Sequence, residues 1–525
     1  MNHLLCGLAA NPALPGALVD RLIALALAAP ADDLVDELVD TLAGRGDLGP
    51  AQVRVLAAHH EDTAVRLAYG GTLTAADVDP AAQPYAAIAL LDEGRGRPDW
   101  ACGLAANPDP HIRWKLASCP ELSPDAVERL ASDPDVEVVA ELALWTTAPV
   151  AARLARHPHA EVRCAAAYNE ATPPDALAAL VTGAGLPSAT SCLVCDTKDI
   201  PFTHDPYCPD PDCVLRAGAA CDGSHASTVH GTWERALRNP ATPPDAAVSL
   251  SDAPSMLLRW ALAERTDLPQ HVYARLARDP MPGVREAVAG NPAIGEELVR
   301  TLAADAPHAE LRLLARHPRL PLDVLVRLAG ATRIGTVLLP RIASATVEEL
   351  EELAAAADPS VRKLVAERHD LPAGVRDALA DDPDAAVVKA VAPHPGLSEG
   401  QLRGMVARHG VRVLARVAAN PDASGALLAE LARHEPPVRR AMREIAAHPN
   451  ATSEALLPCL AAEERARRGA AAHPALAVPV LTGLLDDADP DAAQAAAGNP
   501  ALPPSVMEDL VRRYADEPGV TRPVS

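Results

Sequence analysis

The chain of 525 residues is acidic, with a formal net charge of −23, and it is 49% hydrophobic but only 2% aromatic. A core with so few large rings must be built from many small aliphatic contacts, which favours thin helical layers over a thick sandwich. The negative charge opposes non-specific nucleic-acid binding, which needs a cationic face, and no apolar run approaches the ~18 residues of a membrane span.

The first stretch, MNHLLCGLAANPALP, has no cationic n-region and leads directly into a repeated phrase. We therefore expect no signal peptide and a cytoplasmic protein. In a reducing compartment, clustered cysteines are metal ligands more often than disulfides.

The repeated phrase is Asn-Pro or His-Pro, then x-Leu-Pro and a short apolar segment, as at residues 11–15, 317–321 and 499–503. Its second position recurs in the C-terminal half at steps of 25 or 26, with one step of 28, and falls at 120, 146 and 170 in the N-terminal half. The register is lost over residues 28–100. Such a period is typical of stacked repeats, which grow without a single central core.

Each repeat has a second phrase, Leu-Ala-x-Asp-Pro, two residues, then Val-Arg and an alanine-rich run, as in residues 131–140, 277–288 and 356–365. Proline is tolerated at a helix start, and the polar residue before it is a plausible N-cap. Because the residue before a proline avoids helical conformation, each helix must end there. The two phrases therefore predict two short helices in about 26 residues.

This pair of phrases resembles the leucine-rich repeat variant family, whose repeats carry a similar NP-x-LP … L-x-x-DP-x-x-VR pattern. The resemblance covers roughly residues 102–182 and 231–512, and less clearly the first hundred. It implies an α-helix and a 3₁₀ helix per repeat, stacked into a right-handed superhelix, and some family members carry a cysteine-rich iron–sulfur segment. The predicted fold class is therefore all-α, a right-handed α-solenoid of short helical repeats with a small metal-binding insertion.

Four segments follow from where the phrases stop and resume. Helical repeats are predicted over residues 1–182 and 231–515, a cysteine-rich insertion over 183–230, and a tail without periodicity over 516–525.

The insertion holds five of the ten cysteines. Cys192-x2-Cys195 and Cys208-x4-Cys213 are two close pairs separated by twelve residues. Each pair can aim two sulfurs at one ion, and Zn²⁺ takes four such ligands in a tetrahedron. A segment of this size rarely folds without a metal or disulfides. We therefore predict a structural Zn²⁺ site with these four cysteines as ligands.

An iron–sulfur cluster is the main alternative, because four cysteines also ligate such clusters. Cys221-Asp-Gly-Ser-His225 matches the closing box of the CDGSH iron–sulfur family, in which three cysteines and this histidine hold the cluster. The upstream Cys-x-Cys pair of that family is absent here, and Ala219 stands where the family has proline. Cys221 and His225 are therefore alternative ligands. The remaining alternatives are disulfides, a segment without a metal, or a nucleophilic cysteine beside His204 or His225.

Three further sets of residues have structural interpretations. The single cysteines are expected to be small core residues, namely Cys6, Cys102, Cys119, Cys164 and Cys459. Four histidines precede proline where other repeats have asparagine, which predicts a cap or turn role; they are His317, His394, His448 and His473. The arginines of the Val-Arg phrase are expected to pair with an aspartate of an adjacent turn, such as Asp133 or Asp279, although they could instead bind an acidic partner; they are Arg113, Arg163, Arg285, Arg312, Arg362 and Arg439.

No phosphate-binding loop, nucleophile elbow or HExxH motif occurs. The chain is therefore expected to be a non-enzymatic scaffold that binds a protein partner and neither nucleic acid nor membrane. An iron–sulfur redox or sensor protein on the same solenoid is the alternative function.

Overall fold

The computed structural model describes residues 2–28, 33–192, 195, 225–305 and 307–515. These residues form 35 α-helices and no β-strand, apart from one isolated bridge between His159 and Ser191. The all-α prediction is confirmed. The second element of each repeat is a short α-helix or a hydrogen-bonded turn throughout the described residues. Among the described helices, none has both the length and the apolar character that a membrane span requires.

The chain divides into two compact units, and unit 1 combines Met1–Leu73 with Ile334–Ser525. Its helices are α1 (Asn2–Ala10), α2 (Gly16–Ala28), α3 (Asp33–Ala43), α4 (Pro50–His59), α5 (Glu61–Tyr69), α22 (Pro340–Ala343), α23 (Val347–Ala354), α24 (Pro359–Ala366), α25 (Ala373–Ala380), α26 (Ala385–Val391), α27 (Glu399–His409), α28 (Val411–Ala418), α29 (Gly425–Ala432), α30 (Arg439–Ala446), α31 (Ser453–Leu460), α32 (Glu464–Ala472), α33 (Val478–Leu484), α34 (Pro490–Ala497) and α35 (Pro504–Ala515).

Unit 2 is Thr74–Arg333. Its helices are α6 (Pro84–Asp92), α7 (Trp100–Leu104), α8 (Pro110–Ala117), α9 (Pro124–Ala131), α10 (Val136–Trp145), α11 (Ala148–Leu154), α12 (Ala160–Tyr168), α13 (Pro174–Thr182), α14 (Ala226–Arg238), α15 (Pro244–Val248), α16 (Met256–Glu264), α17 (Gln270–Leu276), α18 (Pro282–Gly290), α19 (Glu296–Asp305), α20 (His308–Leu314) and α21 (Leu322–Ala331). Even-numbered helices from α6 to α20 pack each on the next, which makes one continuous layer.

The helices begin where the sequence predicts. Proline occupies the first turn of α8, α24 and α34, where the missing N–H costs no hydrogen bond. The residue before it is an aspartate whose side chain accepts from the backbone N–H two residues later, at Asp109, Asp358 and Asp489. Caps of this kind contribute about 1 kcal/mol each.

The asparagine of the Asn-Pro phrase does not cap the start of a helix. It lies one or two residues after the last residue of a helix, and we call this position the ladder residue. At Asn420 the side-chain oxygen accepts from Asp422 N at 2.9 Å, which forms a turn, while Nδ2 donates to Ala392 O and His394 O of the preceding repeat. The same pair of inter-repeat bonds recurs at Asn169, Asn239, Asn291 and Asn499.

Histidine and arginine substitute for asparagine at this position. The Nδ1 atoms of His448 and His473 accept from the N–H two residues on, and their Nε2 atoms lie 2.8 and 3.0 Å from a carbonyl of the preceding repeat. The predicted turn role of these histidines is confirmed, and the inter-repeat bond is an addition to it. Arg265 and Arg368 each donate from Nη1 to two equivalent carbonyls of the preceding repeat.

One arginine takes the ladder position within residues 28–100, where the sequence pattern is lost. Arg45 Nη1 donates to Ala9 O and Asn11 O, and its side chain pairs with Asp47. The signal is the phrase Arg-x-Asp-Leu, which Arg45 shares with the ladder residues Arg265 and Arg368.

The insertion leaves the stack in register. Asn239 bonds to Asn169 O across 70 residues, whereas Asn291 makes the equivalent bond to Arg265 O across 26. The difference, 44 residues, is extra chain between two repeats that still pack directly, α12 on α14.

Unit 1 joins the two ends of the chain. Helix α1 packs on α34, and Asn11 Nδ2 donates to Ala497 O and Asn499 O at 3.0 and 2.8 Å. The N-terminal repeat therefore follows the C-terminal repeat as if it were the next one in the series.

Candidate functional site

Three side chains of the insertion boundary come together. Cys192 Sγ lies 3.5 Å from Cys195 Sγ, and Cys195 Sγ lies 3.6 Å from His225 Nδ1. All three ligand atoms lie within 4.8 Å of one another, with Cys192 and His225 buried and Cys195 exposed.

The repeat stack positions this group from both sides. Ala160 N–H donates to Ser191 O and Thr190 N–H donates to Pro158 O, both at 2.9 Å, which holds the segment before Cys192 against the start of α12. His225 is the residue before α14, in a left-handed conformation with φ 55°. Since α12 and α14 are stacked neighbours, both ends of the insertion meet at the same place.

The three ligand atoms are close enough to share one metal ion, and the two sulfurs are not bonded to each other. A disulfide has an S–S bond of about 2.05 Å, and both cysteines are free thiols. A tetrahedral zinc with Zn–S near 2.3 Å and Zn–N near 2.05 Å has edges of about 3.8 Å between sulfurs and about 3.6 Å between sulfur and nitrogen. Two cysteines and one histidine supply three such ligands and leave one position to fill.

The structure describes three of the predicted ligands and their alternates, and the other three lie outside it. Cys192 and Cys195 are brought together, and they are joined by His225, one of the two alternates. Cys208, Cys213 and the other alternate, Cys221, lie outside the described residues. The signal for His225 was the pentapeptide that ends with it.

The single cysteines are mostly core residues, as predicted. Burial raises the pKa of the Cys6 and Cys164 thiols to about 11 and of Cys119 and Cys459 to about 12. Such thiols carry little thiolate and are inert. Cys102 contradicts the prediction, because it is exposed, with Sγ 3.4 Å from Ser123 Oγ.

The arginines of the second phrase form an internal series. The predicted pairing with an aspartate is confirmed for Arg113 and Arg362, whereas Arg285 pairs with a glutamate. Nε and Nη2 of Arg113 and Arg362 hold the two carboxylate oxygens of Asp133 and Asp382, twenty residues on. Three further members have the same role: Arg285 with Glu310, Arg259 with Asp279 and Arg467 with Asp487.

Three of the predicted arginines depart from the series. Arg312 and Arg439 are exposed. In their repeats the position of the series holds Leu311, one residue before Arg312, and Met442, three residues after Arg439. Arg163 occupies that position but has no carboxylate partner among the described residues.

A second candidate site is a row of exposed side chains on stacked helices. Trp145 and Tyr168 are the last residues of α10 and α12, and they are 58% and 56% exposed. Arg238 has the same position at the end of α14 and pairs there with Glu234 and Glu264. We call Trp145, Tyr168 and Arg238 the aromatic ridge. Stacked helices lie about 8–10 Å apart, so the three side chains form one surface.

No protein-family profile and no curated protein matches the chain. Among solved structures, the chain is similar to a leucine-rich repeat variant with a novel repetitive structural motif, at 23% identity and a TM-score of 0.24, over 51% of this chain and 84% of the other. It is also similar to a structure of the Pds5–Scc1 complex, at 11% identity and a TM-score of 0.13, over 89% of this chain and 65% of the other. The first of these belongs to the repeat class that the sequence phrases resemble.

Proposed function

We propose that the chain is a non-enzymatic repeat scaffold that binds a protein partner through the aromatic ridge. The observation that carries the proposal is that Trp, Tyr and Arg are the last residues of three consecutive stacked helices. These residue types dominate the binding energy of protein interfaces. Aromatic residues make up only 2% of the chain. Trp145 and Tyr168 are nevertheless exposed on neighbouring helices, where they contribute nothing to the core.

The metal group has a structural part in this proposal. A bound Zn²⁺ would link Cys192, which lies beside the start of α12, to His225, which precedes α14. It would thereby hold the two ends of the insertion together. The aromatic ridge lies at the opposite ends of these helices, about 20 Å away along α14. The fourth ligand is proposed to come from Cys208, Cys213 or Cys221.

The test of the ridge is a double substitution, Trp145→Ala with Tyr168→Ala. A pull-down with the unaltered chain, followed by mass spectrometry, identifies the partner. Because both side chains are exposed, we expect the double variant to lose this partner while its thermal unfolding stays unchanged. The control is Val411→Ala, which removes a side chain that is 53% exposed in unit 1. Partner capture that survives the double substitution contradicts the proposal.

The test of the metal is elemental analysis of the purified chain. We expect about one zinc per chain, lost in Cys192→Ser and in His225→Asn. Far-UV circular dichroism should change little, because the Asn239 bonds to Ala167 O and Asn169 O hold α14 on α12 without the metal. Retained zinc in both variants would show that the ligand set is wrong.

An iron–sulfur cluster is the second candidate. It is favoured by one observation: His225, the last residue of the CDGSH pentapeptide, joins two cysteines, and histidine can replace cysteine as a cluster ligand. A brown protein with iron and acid-labile sulfide in place of zinc would establish this candidate and exclude the first.

A further inference from the structure

Among the described residues, Arg163 is the member of the arginine series that has no carboxylate partner. In four repeats a carboxylate stands 20 residues after the arginine, at Asp133, Asp279, Asp382 and Asp487. The corresponding residue after Arg163 is Gly183, where the insertion begins. The repeat pattern therefore provides the cation at this level of the stack and omits the anion.

Arg163 is buried, with 6% of its surface exposed. Its Nε donates to His157 O at 2.5 Å and its Nη1 to Pro187 O at 2.8 Å, but Nη2 has no acceptor among the described residues. Burial, and then the charge of Arg156, lowers its pKa below the ordinary arginine value. An arginine stays charged even so, and a buried charge without a counter-ion is costly.

A cavity of about 420 Å³ adjoins this side chain and is lined by both Arg163 and Gly183. Its other walls combine the hydroxyls of Thr182 and Ser188 with the apolar side chains of Leu186, Val229 and Trp233. The volume falls within the range of about 300–1,000 Å³ that is usual for small-molecule sites, which are mostly apolar with a few polar groups.

We propose that this cavity binds a small organic carboxylate. The carboxylate pairs with Arg163 as the aspartates pair with the other arginines, and the apolar body of the ligand lies against Leu186, Val229 and Trp233. A carboxylate fits better than a phosphate because each equivalent position holds a singly charged planar group, and the cavity offers one buried cation. This ligand site goes beyond the proposed scaffold function and requires neither the ridge nor the metal.

The first test is calorimetric titration of the full chain with phenylacetate, which has the charge and an apolar body. We expect phenylacetate to bind. Acetate, which lacks the apolar body, and phenylacetamide, which lacks the charge, should each bind at least about tenfold more weakly than phenylacetate. Arg163→Met should weaken the binding of phenylacetate at least about tenfold, because the charge-assisted hydrogen bonds to the carboxylate are lost. The control Arg259→Met removes an arginine that is already paired with Asp279 and should leave the affinity unchanged.

The second test supplies the missing carboxylate from the chain itself. Gly183 has φ +71°, a conformation that Asp and Asn tolerate better than other side chains, and a Cβ there would contact nothing within 4 Å. Gly183→Asp should abolish phenylacetate binding and raise the melting temperature, whereas Gly183→Asn, with equal backbone strain and no charge, should keep the binding. No binding by the unaltered chain, an unaffected Arg163→Met variant, or equal behaviour of the two Gly183 variants would overturn the proposal.

Discussion

At the scale of the residue, one side chain joins many of the repeats to the one before. The carboxamide of Asn420 is fully buried and bonds to three backbone groups, two of them in the preceding repeat. Asn, His and Arg can all fill the position because each has a donor that reaches the same carbonyls. The sequence shows the exchange of Asn for His, but it does not show the acceptors, which lie 26 and 28 residues away.

We predict that Asn420→Ala destabilises unit 1 by roughly 2–4 kcal/mol, because two buried carbonyls and one N–H lose their partners. Asn420→His should cost less than half of this, since imidazole makes the turn bond and one carbonyl bond at His448 and His473. Urea unfolding followed by circular dichroism measures both. Equal losses in the two variants would contradict the shared role.

His394 is the ladder residue whose imidazole is least satisfied. It is fully buried, both ring nitrogens lack a hydrogen-bond partner among the described residues, and it stacks on His369 at 4.5 Å between ring centroids. Burial, and then the neighbouring His369, lowers the pKa of His394 to about 4 from 6.5. Protonation therefore favours the unfolded chain, in which the imidazole keeps its ordinary pKa.

It follows that the contribution of His394 to stability is constant above about pH 6.5 and falls as the pH decreases towards 4. At pH 5 the loss attributable to His394 is roughly 2 kcal/mol. We expect His394→Asn, which introduces the residue found in other repeats, to remove this part of the pH dependence in thermal unfolding at pH 7 and pH 5. His59→Asn, at an exposed site in unit 1, is the control and should leave the dependence as it is.

At the scale of the element, the same sequence serves two different packing environments. The phrase Cys-Gly-Leu-Ala-Ala-Asn-Pro occurs at residues 6–12 and 102–108. A Cβ on Gly7, in α1, would lie 2.3 Å from Gln494 O and 2.8 Å from Ala497 Cβ of α34, whereas a Cβ on Gly103, in α7, would contact nothing within 4 Å. Close approach of α1 and α34 therefore requires glycine, and α7 does not.

This pair provides a matched experiment. Gly7→Ala should destabilise unit 1 by about 1–3 kcal/mol, because α1 must move away from α34. Gly103→Ala should be neutral or stabilise by up to about 1 kcal/mol, because alanine is the better helix former. Differential scanning calorimetry measures both. A neutral Gly7→Ala variant would show that α1 does not pack on α34.

At the scale of the whole molecule, unit 1 is assembled from the two ends of the chain. The Asn11 bonds to Ala497 and Asn499 span 486 and 488 residues, so they form only after the last repeat is present. Helix α2 also packs on α35. Each end thus covers an apolar face of the other, which is the part that capping repeats have in solenoids.

Deleting residues 2–28 should therefore weaken the far end of the chain. We expect the amides of α34 and α35 to lose hydrogen-exchange protection, while those of α24 and α26 keep most of theirs, because repeats interact chiefly with their neighbours. Hydrogen exchange with mass spectrometry of the deletion variant and the full chain provides the comparison. Undiminished protection in α34 would contradict the packing of the two ends.

The helices, their proline starts and the repeat of about 26 residues could be predicted from the sequence, because they depend on bonds and steric effects between residues close in the chain. That Cys192 and Cys195 lie close together could be predicted for the same reason, since they are three residues apart. His225 lies 30 residues from Cys195 and was only an alternate. The inter-repeat bonds of Asn420, the packing of α1 on α34 and the unmatched Arg163 were decided by tertiary structure alone, because each depends on which distant residue the stack places opposite.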